Sequence, residues 1–451
     1  MTFQYSPLNG ETFFKDVYRL PEGHYYTYKD GKLDIQQYWD ADFETKETHS
    51  RQEWIEKIDE TVQASIEAHT VSDVEVGSFL SSGVDSSYVT SVLKPDHSFS
   101  IGFDDKTYNE AIEARKLTEL LDLDNTAAVI DGDMSFKAFP LIQYHLDEPD
   151  SNPSCVPLYF LANLASQSVR VVQSGEGADE LFAGYQTYGF HTNSKFIRVI
   201  AQGLKKLPKG TRYNLGRKIG KMKNFHGRIH LYESLAPAKE YFIGHARVFE
   251  ESEASEVLTP KYQTAPSVDE IMTVHYEKTE GIKDEVNKMQ YVDLHQWMPK
   301  DILLKADKLS MASSLEVRVP LLDIEVMKLA QQIPSKFLLN QNNTKDIFRQ
   351  AANKHLPEEW SNRVKLGFPV PIKAWLKEEH GYEQVKALFE ADFAKEFFDQ
   401  EKIMKLLDDH HEGRKEEQRK IWTIFSFLTW YKVYFVDETI PQAEAIDYVT
   451  V

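Results

Sequence analysis

Apolar residues follow helical and strand-like spacings in alternation between residues 50 and 175 of the chain. Trp54, Ile55, Ile58, Val62 and Ile66 recur at the spacing of one helix face, which predicts a helix over about 52–69. Short apolar runs predict strands at 74–80, 98–103, 126–130 and 169–173, and the helical patterns between them cover 86–94, 110–122 and 157–168. Strands and helices that alternate in this way predict an α/β fold with a doubly wound parallel sheet.

The two ends of the chain have different patterns. Residues 1 to about 45 predict short strands and turns, with a hairpin turn at Asp30-Gly31. From about residue 240 onward the pattern is mostly helical. The apolar run 421–435 contains Lys432 and is about fifteen residues long, so it predicts a buried helix rather than a membrane span.

Two loops of small residues follow the first and fourth predicted strands. Residues 81–87 have the sequence SSGVDSS, and residues 174–180 have the sequence SGEGADE. Either loop alone could be an ordinary turn between a strand and a helix. Glycine permits a tight turn, however, and backbone N–H groups at a helix N-terminus attract phosphate. Two such loops at strand ends therefore predict one nucleotide site built from both.

Each loop also carries an aspartate, Asp85 in the first and Asp179 in the second. A carboxylate about 4 Å from a phosphate charge would be repelled by roughly 4 kcal/mol at an effective dielectric constant near 20. The arrangement is reasonable if a cation lies between them, and Mg²⁺ normally uses one or two carboxylates together with phosphate oxygens. The sequence contains no Walker phosphate loop, and Gly175-Glu176-Gly177 is a poor match to a dinucleotide fingerprint because Glu180 stands where the third glycine should be.

Taken together, the two loops and several later segments resemble the synthetase domain of glutamine-hydrolysing asparagine synthetases, members of the N-type ATP pyrophosphatases. The segments that carry the resemblance are 81–87, 174–185, 301–308, 310–312, 315–323 and 363–371. Ser82 and Ala183 replace glycines that are common in that family, but neither change removes a charged group. The resemblance implies a sheet of the ATP pyrophosphatase type and a mostly helical C-terminal part.

The resemblance also implies a set of site residues, with ATP and Mg²⁺ as cofactors. The metal would bind Asp85 and Asp179, and adenine would lie near Ile101 and Gly102. The implied nucleotide site comprises Leu80, Ser81, Ser82, Gly83, Val84, Asp85, Ser86, Ser87, Ile101, Gly102, Ser174 and Gly175.

Four further residues are candidates for catalysis and substrate binding. Glu176 would assist formation of the intermediate and accept a proton from ammonia, although it could instead be a helix N-terminal Glu stabilised by the helix dipole. Lys365 would stabilise the departing pyrophosphate, although it could be an ordinary solvated lysine. Glu316 and Arg318 either face the amino-acid substrate or form an ion pair with each other.

The implied reaction is asparagine synthesis from aspartate, ATP and ammonia, with AMP and pyrophosphate as products. One alternative is a related synthetase that forms an amide or a β-lactam on another carboxylate. Others are an inactive truncated interaction partner and an enzyme of tRNA modification.

The N-terminal sequence differs from that of the family that the chain resembles. Complete members of that family begin with a glutaminase domain that has an N-terminal cysteine. Here residue 2 is Thr, and the single cysteine is Cys155. Residues 1–45 resemble the last strands of that glutaminase domain, 46–440 the synthetase domain, and 441–451 would form a tail. We therefore expect ammonia-dependent synthesis, with a separate glutaminase subunit as one source of ammonia.

Composition and charge indicate which partners and which cellular compartment to expect for this chain. The chain has 52 Lys and Arg against 71 Asp and Glu, a net charge of −19, which argues against general affinity for nucleic acid or anionic membrane. Residues 181–232 are an exception, with basic residues and no acidic ones; they predict either an RNA-binding surface or, as we favour, a solvated helical face. One cysteine and no signal peptide predict a cytoplasmic protein, and we expect a homo-oligomer.

Overall fold

Five parallel strands form the centre of the chain in its computed structural model. The sheet order is β7–β6–β3–β4–β5, and β8 adds an antiparallel strand beside β5. These strands are β3 (Val76–Phe79), β4 (Ser98–Phe103), β5 (Asn125–Ile130), β6 (Val171–Gln173), β7 (Glu316–Arg318) and β8 (Val449–Thr450). The structure describes all residues except 45–48, 105–109, 190–198, 202, 205, 223–226, 341–342, 364–368, 444–445, 447 and 451.

Helices connect these strands and cover both faces of the sheet, as predicted for a doubly wound fold. In chain order they are α1 (Arg51–Ala68), α2 (Val84–Leu93), α3 (Glu110–Leu121), α4 (Gly132–His145), α5 (Cys155–Ser166) and α6 (Ala178–Leu181). Buried residues of α1, α2 and α3, such as Ile58, Val89 and Leu117, belong to one hydrophobic cluster. Phe139 of α4 and Phe160 of α5 belong to a second cluster. The α/β fold is therefore confirmed.

The C-terminal part is helical, as the sequence predicted. Its helices, with those of the preceding connection, are α7 (Lys209–Gly220), α8 (Arg228–Leu235), α9 (Glu251–Val257), α10 (Val268–Lys278), α11 (Glu285–His295), α12 (Leu303–Met311), α13 (Ile324–Ala330), α14 (Ser335–Leu338), α15 (Asp346–Ala352), α16 (Glu358–Ser361), α17 (Ile372–Trp375), α18 (Glu379–Phe389), α19 (Ala394–Phe397), α20 (Gln400–His411) and α21 (Gln418–Tyr431). Helix α21 is largely buried, which confirms the prediction for residues 421–431 of that apolar run, whereas the run ends in a π-helical turn (Lys432–Asp437) in which Phe435 is exposed. None of the helices among the described residues has the length and apolar character needed to cross a membrane.

The N-terminal segment combines a hairpin with a stretch that enters the main body. Strands β1 (His24–Lys29) and β2 (Lys32–Gln37) pair antiparallel through a two-residue turn at Asp30 and Gly31, both with positive φ, as predicted. Phe3 and Tyr5 are buried in the same cluster as α1. The first residues of the chain therefore help to build the region around the site.

Strand order explains where a ligand can bind. The chain passes from β3 to β4 and β5 in one direction, and then crosses back to place β6 on the other side of β3. Val76 pairs with Val171 and Ser78 with Gln173, so β3 and β6 end at the same edge. Ligands of open α/β sheets bind where the strand order reverses in this way. The two phosphate-type loops emerge side by side at that point.

Candidate active site

A cavity of about 790 Å³ lies at the carboxyl edge of the sheet, where β3 and β6 end. Both phosphate-type loops line it. Its wall includes Leu80, Ser81, Ser82, Gly83, Val84, Asp85, Ser86, Ile101, Ser174, Gly175, Glu176 and Asp179 among the residues that the sequence predicted. Ser87 and Gly102, also predicted for the nucleotide site, are described residues that do not line the cavity: Gly102 lies within β4, paired with Val129, and Ser87 is buried in α2.

The first loop is closed by its own hydroxyl groups. The backbone N–H of Ser81 donates to Ser86 Oγ at 3.0 Å, and the Oγ atoms of Ser81 and Ser86 are 2.8 Å apart. The N–H of Gly83 donates to Ser81 Oγ at 3.2 Å. Gly83 then begins α2 in an extended conformation without a side-chain cap. The N-terminus of this ten-residue helix consequently faces the cavity with the positive end of its dipole.

The second loop touches the first at a glycine. A Cβ atom on Gly175 would lie 2.4 Å from the backbone nitrogen of Ser86, so no larger residue fits there without movement. The N–H of Ser174 donates to the carbonyl of Arg318 at 2.9 Å, which ties this loop to β7. Gly177 then turns the chain into α6 with a φ of 93°. The contact at Gly175 makes the two loops one unit.

Glu176 lies in this second loop, beside Ser174. The hydroxyl of Ser174 donates to Glu176 Oε2 at 2.5 Å. Burial raises the pKa of Glu176 above its ordinary value, while the Ser174 hydrogen bond and the charge of Lys305 oppose that rise. A carboxylate whose proton affinity is raised by burial is suited to accept a proton during a reaction.

Lys345 lies between the two loop aspartates. Its Nζ donates to Asp85 Oδ1 and Oδ2, each at 2.6 Å, and is 2.7 Å from Asp179 Oδ1. The side chain is 1% exposed. Lys345 immediately precedes α15 with a φ of 54°. The sequence analysis missed this residue, because no local pattern signals a lysine that contacts Asp85 across 260 positions of the chain.

A glycine leaves room for this cluster of charges. A Cβ atom on Gly184 would lie 1.8 Å from Asp179 Oδ1 and 2.5 Å from Lys345 Cε. Any other residue would push the carboxylate or the ammonium away. This requirement gives a physical reason for glycine at position 184, beside Ala183, which has a positive φ of 54°.

The two aspartates fit a divalent cation that is bound jointly with phosphate. Both carboxylates reach one ammonium group, so both could reach one metal ion in the same region. No group of three or more metal-ligating side chains occurs in the described part of the chain. Two protein carboxylates completed by phosphate oxygens is the usual arrangement for Mg²⁺ at nucleotide sites. Asp85 and Asp179 are therefore suitable ligands.

A buried polar network forms another wall of the cavity. Asp301, which is 0% exposed, accepts three hydrogen bonds: from Gln4 Nε2 at 2.7 Å, Asn152 Nδ2 at 2.7 Å and Lys305 Nζ at 2.9 Å. The nearby carboxylates of Asp301, Asp150 and Glu176 raise the pKa of Lys305, although its burial acts in the opposite direction. Lys305 therefore stays charged and supplies a fixed positive charge near Glu176.

Glu110 is a further acidic group at this site that sequence analysis did not single out. It begins α3, is 7% exposed and lines the cavity beside Ser82. Burial raises the pKa of Glu110 to about 7, and contacts with Ser82 and the charge of Arg363 only partly oppose this effect. Glu110 therefore changes its charge near neutral pH.

Besides Ser87 and Gly102, three further predicted residues lie outside the cavity wall or outside the described residues. Arg318 Nε pairs with Glu316 Oε1 at 2.7 Å, and its Nη1 donates to the carbonyls of His69 and Val71 at 2.8 Å each. The sequence left open whether Glu316 and Arg318 face the substrate or pair with each other, and the observed contacts are those of an ion pair. Neither residue lines the cavity. Lys365 lies outside the described residues, so its role stays a prediction.

Sequence comparison with known proteins shows which family the chain belongs to. The asparagine synthase family model matches residues 57–432. The chain belongs to the asparagine synthase family. It is 35% identical over 455 residues to glutamine-hydrolyzing asparagine synthetase 1 of Bacillus subtilis (strain 168), covering 98% of this chain and 69% of the relative. It is 33% identical over 399 residues to a putative glutamine-hydrolyzing asparagine synthetase of Mycobacterium bovis (strain ATCC BAA-935 / AF2122/97), covering 87% of this chain and 60% of that relative.

Membership of the asparagine synthase family confirms the resemblance found in the sequence. It supports an ATP-dependent ligase of the asparagine-synthesis type. Apart from Gln4, the residues that line the cavity at the end of β3 and β6 lie within the matched region, as do the two phosphate-type loops.

Proposed function

We propose that the chain makes asparagine by adenylating the side-chain carboxylate of aspartate and then transferring ammonia to it. The observation that carries this proposal is that Asp85 and Asp179, from two different phosphate-type loops, converge on one cation position in a cavity that Glu176 also lines.

In the first step, the pyrophosphate part of ATP lies on the first loop, against the N–H groups at the start of α2. An oxygen of the aspartate side chain bonds to the α-phosphorus, and the bond from that phosphorus to the bridging oxygen breaks. Pyrophosphate leaves with the bonding electron pair. Mg²⁺ held by Asp85 and Asp179 would neutralise charge on the phosphates. Such a reaction depends on positioning and charge stabilisation more than on covalent help from the protein.

In the second step, ammonia attacks the acyl carbon and AMP leaves. The nitrogen forms its bond to carbon as the carbon–oxygen bond to AMP breaks, and one proton must leave the nitrogen. Glu176 is the proposed acceptor, because its pKa is raised by burial and Ser174 fixes the orientation of its carboxylate. Lys305 and Lys345 keep the cavity from becoming too negative for two anionic substrates.

The proposal includes ammonia as the nitrogen donor for this chain by itself, with a glutaminase domain or subunit as its source. It also includes a cytoplasmic setting and assembly of more than one copy. The resemblance supports ammonia as the nitrogen donor, and the single cysteine supports the cytoplasmic setting.

The test is a product assay with the purified chain. Incubation with aspartate, ATP, Mg²⁺ and ammonium should yield asparagine, AMP and pyrophosphate in equal amounts. Glutamine as the sole nitrogen source should yield no asparagine. ADP and phosphate as products would overturn adenylation, and asparagine made from glutamine with ammonia excluded would overturn ammonia dependence. A panel of other carboxylates, assayed by pyrophosphate release, would reveal a different acyl substrate.

A further inference from the structure

Among the described residues, five lysine and arginine side chains line the cavity, and most of them are already committed to carbonyl or carboxylate oxygens. Lys305 pairs with Asp301, and Lys345 with the two loop aspartates. Arg363 pairs with Glu113. Arg349 donates to three backbone carbonyls, those of Thr344, Ser361 and Arg363.

Arg419 differs from the other four cations. It lies in the first turn of α21 and lines the cavity. Its Nη2 donates to the amide oxygen of Gln4 at 3.2 Å, and no carboxylate within the described part of the chain forms an ion pair with it. A neutral amide leaves the positive charge of the guanidinium uncompensated. Within the described part of the chain its Nε and Nη1 have no hydrogen-bond acceptor, so they can donate to a planar anion.

Gln4 holds this arginine in a defined position. Its Nε2 donates to Asp301 Oδ2 at 2.7 Å, and its amide oxygen accepts from Arg419. Only one orientation of the amide satisfies both partners, because the aspartate needs a donor and the arginine needs an acceptor. The backbone of Gln4 is fixed as well: its N–H donates to Ala246 at 3.2 Å, and its carbonyl accepts from the N–H of Ser151 at 2.8 Å. Gln4 is 5% exposed.

An uncompensated guanidinium in this cavity needs an anionic ligand. The chain has a net charge of −19, so an anionic substrate enters against an unfavourable overall field unless a local cation attracts it. The phosphates have the N–H groups of their own loops, with Asp85 and Asp179 as ligands for a shared cation. Aspartate carries two carboxylates, of which only one is adenylated in the proposed reaction. The other must be held elsewhere in the same cavity.

We propose that Arg419, oriented by Gln4, binds the carboxylate of the amino-acid substrate that is not adenylated. This inference rests on the proposed function and adds a recognition residue to it. The Gln4–Asp301–Lys305 network links Arg419 to the wall that carries Glu176, so binding at Arg419 sets the position of the reacting carboxylate.

The test compares two substrates that differ only in that carboxylate. Aspartate has it, whereas 3-aminopropanoate keeps the amino group and the reacting carboxylate but lacks the other one. Arg419→Leu should lower kcat/KM for aspartate by roughly 10- to 100-fold, mainly through KM, since a hydrogen bond to a charged group is lost. It should leave kcat/KM for 3-aminopropanoate and KM for ATP unchanged. Arg419→Lys should recover part of the loss.

Arg414→Leu is the matched control. It removes the same charge five residues earlier, from an arginine that pairs with Asp409 and Glu412 and does not line the cavity. It should leave kcat/KM for both substrates unchanged. An equal loss for aspartate and 3-aminopropanoate in Arg419→Leu would indicate a structural role and overturn the inference, as would an unchanged value for aspartate.

Failure of the proposed function would look different. Wild-type chain that releases no pyrophosphate with aspartate would refute adenylation of aspartate. Calorimetric titration of aspartate into wild type and Arg419→Leu then decides the binding role by itself. Equal affinities, or no binding to wild type, would refute the assignment of Arg419.

Discussion

The ammonium group of Lys345 lies 2.6 Å from both carboxylate oxygens of Asp85. It also contacts Asp179, so a single buried lysine holds the aspartates of two loops together. Without the ammonium group, the two carboxylates would repel each other in a site that is largely removed from water. The ordering of the site before any ligand arrives therefore depends on this lysine.

Replacement of Lys345 should destabilise the protein in a way that a divalent cation reverses. Lys345→Met leaves two buried carboxylates without their shared cation, and breaking a buried pair in this way costs about 3–5 kcal/mol. We expect a lower Tm for the variant and a larger rise of its Tm with Mg²⁺ than for wild type. Lys328→Met is the control, since Lys328 forms only an exposed ion pair with Glu325. A variant Tm equal to that of wild type would show that Lys345 does not hold the loops.

Removal of either aspartate charge should impair adenylation. Asp85→Asn and Asp179→Asn each keep the shape of the side chain but weaken metal binding beside the phosphates. The measurement is aspartate-dependent pyrophosphate release over a range of Mg²⁺ concentrations. We expect each variant to need more Mg²⁺ and to be slower at saturation. If one variant keeps nearly wild-type rates at low Mg²⁺, that aspartate is not a metal ligand.

Glu110 should make stability depend on pH. Its pKa is raised by burial from 4.5 to about 7, so the folded state binds a proton that the unfolded state releases between these values. Stability is therefore lost as pH rises from about 4.5 to about 7, by about 3 kcal/mol at most. Glu110→Gln cannot ionise and should be more stable than wild type at pH 8, with a smaller difference at pH 5. Denaturant unfolding of both proteins at both pH values measures this difference. A difference that does not change with pH would refute the assignment.

Lys365 should act on the transition state more than on ATP binding. Charge accumulates on pyrophosphate as its bond to the α-phosphorus breaks, so a cation placed there affects kcat more than KM. We expect Lys365→Ala to slow single-turnover adenylation by roughly 10²–10³-fold, as for loss of one such electrostatic contact. Lys365→Arg should recover only part of the rate. Lys373→Ala is the control, because Lys373 pairs with Glu416 at the surface. A rate for Lys365→Ala within threefold of wild type would show that Lys365 does not stabilise the departing pyrophosphate.

Arg318 should matter for stability and not for substrate affinity. Its guanidinium joins β7 to the carbonyls of His69 and Val71 that follow α1. Arg318→Leu leaves those carbonyls without donors, which costs about 1–3 kcal/mol where they are shielded from water. We expect a lower free energy of unfolding and an unchanged KM for aspartate. A large rise in that KM with unchanged stability would instead favour direct substrate binding.

Local patterns in the sequence determined much of the fold but only part of the site. The predicted strand 98–103 and helix 110–122 correspond closely to β4 and α3, because both depend on spacing between neighbouring apolar residues. Strand β7 was missed because it has only three residues, two of them charged.

The loops could be predicted since glycine, serine and aspartate are close together in the sequence. Lys345, Arg419 and Gln4 could not, because their roles come from contacts across hundreds of residues. The hydrogen bond from Arg419 to Gln4, for example, joins positions 415 apart. No local pattern reports such a contact, and only the folded chain brings these side chains together.

The contact at Gly175 has a consequence for engineering. Because a single methyl group there would meet the backbone of the first loop, a foreign second loop fits the native first loop only if it also has glycine at this contact. A chimera that carries one foreign loop would have to fit its curvature to the native partner to within a fraction of an ångström. Grafts that alter nucleotide preference should therefore transplant both loops as a matched pair, although more than eighty residues of sequence separate them.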